Sequence, residues 1–272
     1  MFNPENRALI AVRPLFTISL AAWAFACQVF ALNISDYRLV DLSHSYNNET
    51  LYWPTSPSRF EKQQLVFGTI EGLGFYAAFS VCTPEHGGTH LDAPLHFSET
   101  GMATDQVPLE RLMAPGIVID ISEQAGTDRN YRLSVRDVLE FETQHGPVQP
   151  GTVVLLRTGW SQYWPNAKAY LGDDTPGDAS KLQFPSYGAE AAKLLVEERQ
   201  VVLLGVDTAS IDYGQSRNLP VHRMVAAQNV SGLENLNALD ELPATGFVII
   251  ALPMKIEGGS GGPARVVALI PE

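Results

Sequence analysis

The sequence is poor in cysteine, and this scarcity limits how the fold can be stabilised. Only two cysteines occur among the 272 residues, and Cys27 lies in an N-terminal segment that we expect to be removed. An exported chain left with Cys82 alone has no internal disulfide, so its stability has to come from a packed core. Cys82 itself is predicted to be a buried thiol within that core. The hydrophobic content of 45% is ample for one large domain.

Basic residues are also scarce. The chain has 18 lysines and arginines against 30 aspartates and glutamates, which gives a net charge of −12 at pH 7. This balance argues against nucleic acid and against an anionic membrane surface as partners. The sequence also lacks a phosphate-binding loop with Gly-Lys-Ser/Thr and a dinucleotide-binding fingerprint.

One hydrolase motif matches the sequence but lacks the structural context that the motif requires. Residues Gly258–Gly262 match Gly-x-Ser-x-Gly, but that motif requires a helix after the serine and a later histidine. Here the residues after the motif, Pro263-Ala264-Arg265, lead into a predicted strand, and no histidine follows His222. The segment is therefore interpreted as a glycine-rich loop beside a site.

Residues 1–31 are interpreted as a secretory signal peptide. Two arginines precede an apolar run from Leu15 to Phe30, and small residues near its end suit cleavage before Leu32. The run is short for a membrane-spanning helix, although an uncleaved anchor is the alternative. We expect an exported, periplasmic protein whose mature form, residues 32–272, is one hydrolase domain without a membrane partner.

The rest of the chain predicts strands interleaved with helices. Strands are predicted at Tyr37–Ser43, Phe60–Gly68, Phe75–Cys82, Gly116–Ile121, Thr152–Arg157, Val201–Val206, Phe247–Leu252 and Val266–Ile270. Helices are predicted from Ser134 to Gln144 and from Ser186 to Arg199, with each serine as N-cap. Tyr163–Ser180, rich in Asn, Asp, Gly and Pro, is predicted to be a long surface loop. This order predicts a single mixed α/β domain.

Three of the six histidines and one aspartate lie close together in the first half of the chain. His86, His90, Asp92 and His96 are separated by even steps of four, two and four. Alternate side chains of an extended backbone share a face, so this spacing aims all four at a common point. Two glycines and a proline within the stretch disfavour a helix. Nitrogen and carboxylate donors suit Zn²⁺, Mn²⁺ or Fe²⁺, which predicts a metal or catalytic site rather than a histidine-rich surface loop.

Three further residues are candidates for the same site. His222 and Glu234 are possible second-half ligands that would complete the site or hold a second ion. Taken alone, each is more often a structural residue. Trp53 lies in a proline-rich loop. Two roles are equally consistent with this position: contact with an apolar substrate at the entrance of a site, or packing that anchors the loop to the protein.

The histidine cluster resembles the signature of the putative cyclase family of metal-dependent hydrolases, which includes bacterial kynurenine formamidase and isatin hydrolase. The matching string is His86-x-Gly88-Thr89-His90-x-Asp92-x-Pro94-x-His96-Phe97. The likeness extends to Leu156–Trp160, Gly205–Asp212 and Gly262–Arg265. The resemblance implies the family's swivelling β/β/α fold and a homodimer or higher homo-oligomer.

The resemblance also implies roles for the clustered residues. It makes His86, His90 and Asp92 metal ligands, and it makes His96 the group that accepts and donates a proton. A bound ion would lower the pKa of a water towards about 7 and so provide hydroxide. His96 would take a proton from that water and return it to the leaving nitrogen.

For the second half of the chain, the resemblance offers two versions of the metal site. In formamidases, a later histidine and a glutamate twelve residues on serve a two-zinc site, and His222 and Glu234 have that spacing. Isatin hydrolases resemble single-manganese enzymes, so Mn²⁺ or Zn²⁺ and one or two ions all stay open. Trp53 resembles the formamidase aromatic residue that meets the substrate.

The expected function is hydrolysis of a C–N bond in a small aromatic amide. Export departs from cytoplasmic tryptophan catabolism and therefore favours a cyclic aryl amide such as isatin, opened to isatinate. One alternative is an arylformamidase acting on N-formylkynurenine. Another, from a different class, is an exported metal-binding protein without catalysis.

Overall fold

In the computed structural model, an eight-stranded sheet organises the part of the chain that is described, residues 33–272. The predicted signal peptide, residues 1–31, lies outside the described residues. Among the helices of residues 33–272, none has both the length and the apolar character needed to cross a bilayer.

The described chain contains twelve strands and six α-helices, and strands and helices alternate only in its middle part. The strands are β1 (Tyr37–Asp41), β2 (Glu61–Ile70), β3 (Gly74–Cys82), β4 (His90–Asp92), β5 (Met113–Asp120), β6 (Arg132–Leu133), β7 (Val153–Arg157), β8 (Ser186–Tyr187), β9 (Leu203–Val206), β10 (Ser231–Glu234), β11 (Phe247–Pro253) and β12 (Gly261–Pro271). The helices are α1 (Leu109–Leu112), α2 (Ser122–Thr127), α3 (Val135–His145), α4 (Ala167–Leu171), α5 (Ala189–Lys193) and α6 (Pro220–Ala227). Short 3₁₀ turns occur at Ile34–Asp36, Pro94–His96, Thr104–Gln106, Trp160–Tyr163 and Leu239–Glu241.

The main sheet closes on itself. Its order is β1-β12-β11-β5-β7-β9-β10-β4, and β4 pairs back onto β12. Strands β5, β7, β9 and β10 are parallel neighbours, whereas β11, β12, β4 and β1 pair antiparallel. Seven strands therefore form a ring, with β1 as an additional strand on β12.

Strand β12 holds the histidine-rich stretch in place. One edge of β12 pairs with β11, and the other edge pairs first with β4 and then with β1. Strand β4 in turn lies between β12 and β10. The early histidine cluster is thus fixed between two strands from the last 42 residues of the chain.

Buried side chains cover both faces of the central parallel strands, which explains their continuous apolar sequences. Ile117 and Ile119 of β5 belong to a core shared with α3, α5 and α6. Val118, between them, belongs to a second core that receives residues from all eight strands of the sheet. Leu91 anchors β4 in this second core with no exposed surface.

Most predicted elements are confirmed, but two predictions in the middle of the chain are wrong. Ser186 does not cap a helix; it lies in β8, Gly188 is the N-cap of α5, and the helix continues as a π-helical turn from Leu194. The predicted surface loop contains α4, because Tyr170 and Leu171 are buried in a third apolar cluster. Ser134, by contrast, caps α3 as predicted.

Strands β2 and β3 form a separate antiparallel hairpin, as their predicted positions suggested. Both faces of the hairpin are largely exposed. Cys82, predicted to be a buried thiol, is exposed because it ends β3 in this hairpin rather than in the core. Large apolar side chains are exposed along the hairpin and its turn: Leu65, Phe67, Ile70, Leu73, Phe75, Tyr76, Phe79 and Val81.

Candidate metal centre

The backbone of the histidine-rich stretch is less uniform than predicted. Only β4 is extended, and it places His90 and Asp92 on one face and Leu91 on the other, in the core. The chain bends before β4 at Gly87 and Gly88, which have φ values of +149° and +57°. A side chain at Gly87 would place its Cβ 2.1 Å from the Tyr52 ring. These bends bring His86 back towards β4 although the chain is not straight.

Three predicted ligands meet at Asp92. The Nδ1 atom of His86 lies 2.6 Å from Asp92 Oδ1, and the Nε2 atom of His90 lies 3.1 Å from the same oxygen. One ligand atom from each of the three residues lies within 4.8 Å of the others. The predicted convergence of His86, His90 and Asp92 is therefore present in the structure, and their role as ligands stays a prediction.

The second half of the chain supplies another group of donors on the other oxygen of Asp92. His222 Nε2 lies 3.2 Å from Asp92 Oδ2 and 3.1 Å from Glu234 Oε1. One donor atom from each of these three residues also lies within 4.8 Å of the others. Because Asp92 belongs to both groups, the arrangement fits one ion or two ions that share this carboxylate.

The charges of the buried donors fit a cation. Burial alone lowers the pKa of His90, but Asp92 and Glu234 outweigh it and raise that pKa to about 9. His222 behaves in the same way: burial lowers its pKa, and hydrogen bonds to Asp212, Asp92 and Glu234 raise it well above the usual value. Carboxylates that favour protonated imidazoles here also favour a divalent cation bound by neutral imidazoles.

Two histidines are oriented towards the centre by hydrogen bonds at the ring nitrogen that points away from it. His90 Nδ1 lies 2.9 Å from the carbonyl oxygen of Gly88, and His222 Nδ1 lies 2.8 Å from Asp212 Oδ2. Each Nδ1–H can donate to its acceptor, which leaves Nε2 facing the donor groups. No local sequence signal points to this role of Asp212 beyond its place in the resembling segment Gly205–Asp212.

His96 lies beside the donors without joining them. It belongs to neither donor group of the described residues, and its ring stacks on His86 with centroids 3.8 Å apart. Burial, partly offset by Asp92, lowers the pKa of His96 to about 4. The imidazole is therefore neutral at pH 7 and can accept a proton.

A cavity of about 430 Å³ opens onto this centre. Aromatic and aliphatic side chains form much of its wall: Leu51, Tyr52, Trp53, Phe97, Leu171 and Leu219. No lysine or arginine lies among the described lining residues. Trp53 lines the cavity and also packs edge-on against Phe184, with ring centroids 6.2 Å apart, and its contact with a substrate stays a prediction.

Comparison with known proteins places these observations in a family. The family model described as Putative cyclase matches residues 40–213. An isatin hydrolase of Roseibium aggregatum is 34% identical over 207 residues, which cover 73% of this chain and 76% of that protein. A kynurenine formamidase of Sphingopyxis alaskensis is 30% identical over 230 residues, which cover 85% of this chain and 97% of that protein.

Solved structures give the same result for the fold. The crystal structure of an isatin hydrolase bound to the product analogue thioisatinate matches with a TM-score of 0.80 and 29% sequence identity. The match covers 88% of this chain and 94% of that chain. The swivelling β/β/α fold predicted from the sequence is confirmed by this likeness.

Proposed function

Because the chain belongs to the cyclase family, we propose that it is a metal-dependent hydrolase that opens the C–N bond of a cyclic aryl amide. The observation that carries this proposal is the meeting of His86, His90 and Asp92 beside a neutral His96, at the floor of an aromatic cavity. The relatives named isatin hydrolase and kynurenine formamidase support hydrolysis of an aromatic amide.

The cavity favours isatin over N-formylkynurenine as the substrate. N-Formylkynurenine carries a free amino-acid group, whose carboxylate needs a cationic or hydrogen-bonding partner when it is buried. The described cavity wall offers no lysine or arginine to pair with that carboxylate, so only uncharged donors such as Thr55, Ser56 and Asn235 remain for it. Isatin is flat, neutral and bicyclic, and it suits the walls formed by Trp53 and Phe97. The proposed product is isatinate.

The donors fit Mn²⁺ or Zn²⁺, with nitrogen and carboxylate ligands. His86, His90 and Asp92 would hold one ion, and His222 and Glu234 would hold a second through Asp92. When bound, the ion supplies Lewis acidity and lowers the pKa of a water molecule.

The remaining chemistry belongs to side chains of this protein. His96 accepts a proton from the attacking water and returns it to the nitrogen that leaves the carbonyl carbon. The aromatic walls hold the flat ring with its carbonyl towards the centre and exclude bulk water. Asp92 offers one oxygen to each donor group and so fixes the distance between them.

A comparison of the two substrates tests the proposal. Purified protein is loaded with Mn²⁺ or Zn²⁺ and assayed with isatin and with N-formylkynurenine, and His96→Ala is the matched control for catalysis. We expect a higher kcat/KM for isatin. Turnover of N-formylkynurenine alone would support the formamidase alternative. Tight metal binding without turnover of either compound would favour a metal-binding protein without catalysis.

Two further properties belong to the proposal. The N-terminal segment is a cleaved signal that exports the chain to the periplasm, as its sequence pattern suggests. The mature chain forms a homodimer or higher homo-oligomer, and the apolar hairpin of β2 and β3 supports this assembly.

A further inference from the structure

The glycine-rich loop Gly258–Gly262 ends the connection between β11 and β12, includes the first two residues of β12 and lies against His86. The hydroxyl of Ser260 lies between two side chains of the histidine-rich stretch. Its Oγ atom is 2.8 Å from His86 Nε2 and 2.6 Å from Glu85 Oε2. The backbone N–H of Ser260 also donates to Glu85 Oε2, at 3.0 Å.

The direction of these hydrogen bonds follows from the groups that make them. The carboxylate of Glu85 can only accept, so the hydroxyl of Ser260 donates its one hydrogen to Glu85. The hydroxyl oxygen then accepts from His86, which requires that Nε2 of His86 carries a hydrogen. A neutral ring with Nε2–H leaves its lone pair on Nδ1. That Nδ1 atom is the one that lies 2.6 Å from Asp92 Oδ1.

The loop can approach His86 this closely only because it carries glycines. A Cβ at Gly261 would lie 2.5 Å from His86 Cε1 and 2.7 Å from the carbonyl oxygen of Leu91. A Cβ at Gly259 would lie 3.0 Å from Glu85 Oε1. Larger residues at either position would push the loop away and separate the serine from the histidine.

Backbone and side-chain hydrogen bonds fix the loop relative to the donors. The backbone N–H of Ala93 donates to the carbonyl oxygen of Ser260 at 2.9 Å. The buried hydroxyl of Thr104 lies 3.0 Å from the carbonyl oxygen of Gly259 and 3.1 Å from that of Gly261. The serine hydroxyl is therefore held in one place rather than on a free surface loop.

We propose that Glu85 and Ser260 are positioning residues that hold His86 in the Nε2–H form, so that this histidine binds metal through Nδ1. His90 and His222 present Nε2 instead, so His86 is the one of these three histidines that would bind metal through Nδ1. The inference rests on the metal centre of the proposed function but not on its substrate. It also gives the Gly-x-Ser-x-Gly segment a role in which the serine relays a hydrogen bond and does not act as a nucleophile.

Nuclear magnetic resonance of the zinc-loaded protein tests the inference without any assay of activity. Long-range ¹H–¹⁵N spectra distinguish the two ring nitrogens, and the signals of His86 are assigned through a His86→Gln variant. We expect hydrogen on Nε2 and zinc on Nδ1. Zinc on Nε2, or no zinc bound to the unaltered protein, would overturn the inference.

A pair of variants separates the role of Ser260 from a general loss of packing. Ser260→Ala is expected to weaken zinc binding by about 10- to 100-fold and to shift the His86 ring signals. Ser43→Ala is the matched control, because Ser43 is also partly buried and hydrogen-bonded to β12, at Val266, but does not touch His86. It should leave zinc affinity and the His86 signals unchanged.

Unchanged zinc affinity and unchanged His86 signals in Ser260→Ala would contradict the inference. These readings are made without substrate, so a failure to hydrolyse isatin would defeat the proposed substrate and leave the positioning of His86 standing. Glu85→Ala provides a second variant with the same expected direction, since it leaves the serine hydroxyl without its acceptor.

Discussion

At the scale of single residues, removal of the His96 side chain should separate catalysis from metal binding. It stacks on His86 but belongs to neither donor group of the described residues. We expect His96→Ala to lower kcat by about 10²- to 10⁴-fold, because a positioned general acid–base contributes a factor of this size. Bound metal, measured by elemental analysis, should change little.

His90→Ala is the matched control for this prediction. Its imidazole is buried and lies 3.1 Å from Asp92, so its loss should remove metal and activity together. Parallel loss of metal in His96→Ala would show that His96 is itself a ligand and would contradict the assigned role.

A second prediction concerns His44, which affects stability rather than catalysis. Its ring stacks on Trp164 with centroids 4.2 Å apart, and its Nε2 is buried without a hydrogen-bond partner in the described part of the chain. Burial, partly offset by Asp41, lowers the pKa of His44 from 6.5 to about 4. The unfolded chain therefore binds this proton more readily, and stability is lost as the pH falls from about 6.5 to about 4.

The variant His44→Phe keeps an aromatic ring against Trp164 and removes the titration. Between pH 7.5 and pH 5, its free energy of unfolding should fall by about 1–2 kcal/mol less than that of the unaltered protein, a figure reduced for the ring's partial exposure. Urea denaturation of both proteins, each freed of metal, measures the difference. Equal pH dependence of the two proteins would refute the assignment to His44.

The sequence predicted the donors better than it predicted their geometry. Even spacing correctly suggested that His86, His90 and Asp92 meet, but the meeting depends on the bends at Gly87 and Gly88 more than on a straight strand. Positive φ values are a property of the folded backbone that spacing alone does not contain. Glu85 carried no signal at all, because its partner Ser260 is 175 residues away.

At the scale of elements, the exposed β2–β3 hairpin is predicted to bind another protein chain. A two-stranded hairpin is marginally stable alone, and this one exposes Phe67, Phe75 and Val81 at 60%, 67% and 58%. Contiguous apolar surface of this kind marks an interaction site. The homo-oligomer implied by the family resemblance makes a second copy of this chain the expected partner.

Substitutions on the hairpin test that assignment. Phe67→Ser combined with Phe75→Ser should lower the mass in solution from that of the proposed homodimer or higher homo-oligomer to that of a monomer, measured by light scattering after size-exclusion chromatography. Leu109→Ser is the matched control, because Leu109 is 60% exposed but lies on α1. A doubly substituted protein that keeps its mass in solution would exclude the hairpin as the interface.

Local patterns predicted elements well where burial alone decides the structure. The strands predicted from the apolar runs of β5, β7 and β11 are confirmed, because the side chains of those runs lie in the core. The predicted helix from Ser186 began too early, because Ser186 and Tyr187 pair with β6, a contact across more than 50 residues. Cys82 was predicted to be buried, but β3 is almost entirely exposed within the described chain.

At the scale of the whole molecule, metal should contribute to stability as well as to catalysis. Asp92 and Glu234 are buried with the imidazoles of His90 and His222, and an ion that binds only the folded chain stabilises it by mass action. At about 100 times its Kd, this amounts to about 2.7 kcal/mol, or about 5–11 °C in Tm for a chain of this size.

Calorimetry before and after chelation measures this effect. Tm and hydrolysis should fall together when metal is removed and return with Mn²⁺ or Zn²⁺, while Ca²⁺ should restore neither. Full hydrolytic rate after exhaustive chelation would contradict the proposed function.

The export proposal also belongs to the whole chain. If the N-terminal segment is a cleaved signal, protein recovered from the periplasm should begin at Leu32. N-terminal sequencing after cell fractionation tests this directly, with a variant in which Leu20 and Leu15 are changed to Arg as the control that should stay in the cytoplasm. Periplasmic protein that still begins at Met1 would support the uncleaved anchor instead.

The position of β4 between β10 and β12 has a consequence for biosynthesis. A ribosome releases the histidines long before residues 231–271, yet β4 has no strand partner among described residues until those later strands exist. Pairing across such separations is slow compared with local folding. A chain that is translocated as it emerges would therefore acquire its cation on the far side of the membrane, and the ion supply of that compartment would decide which metal the finished protein holds.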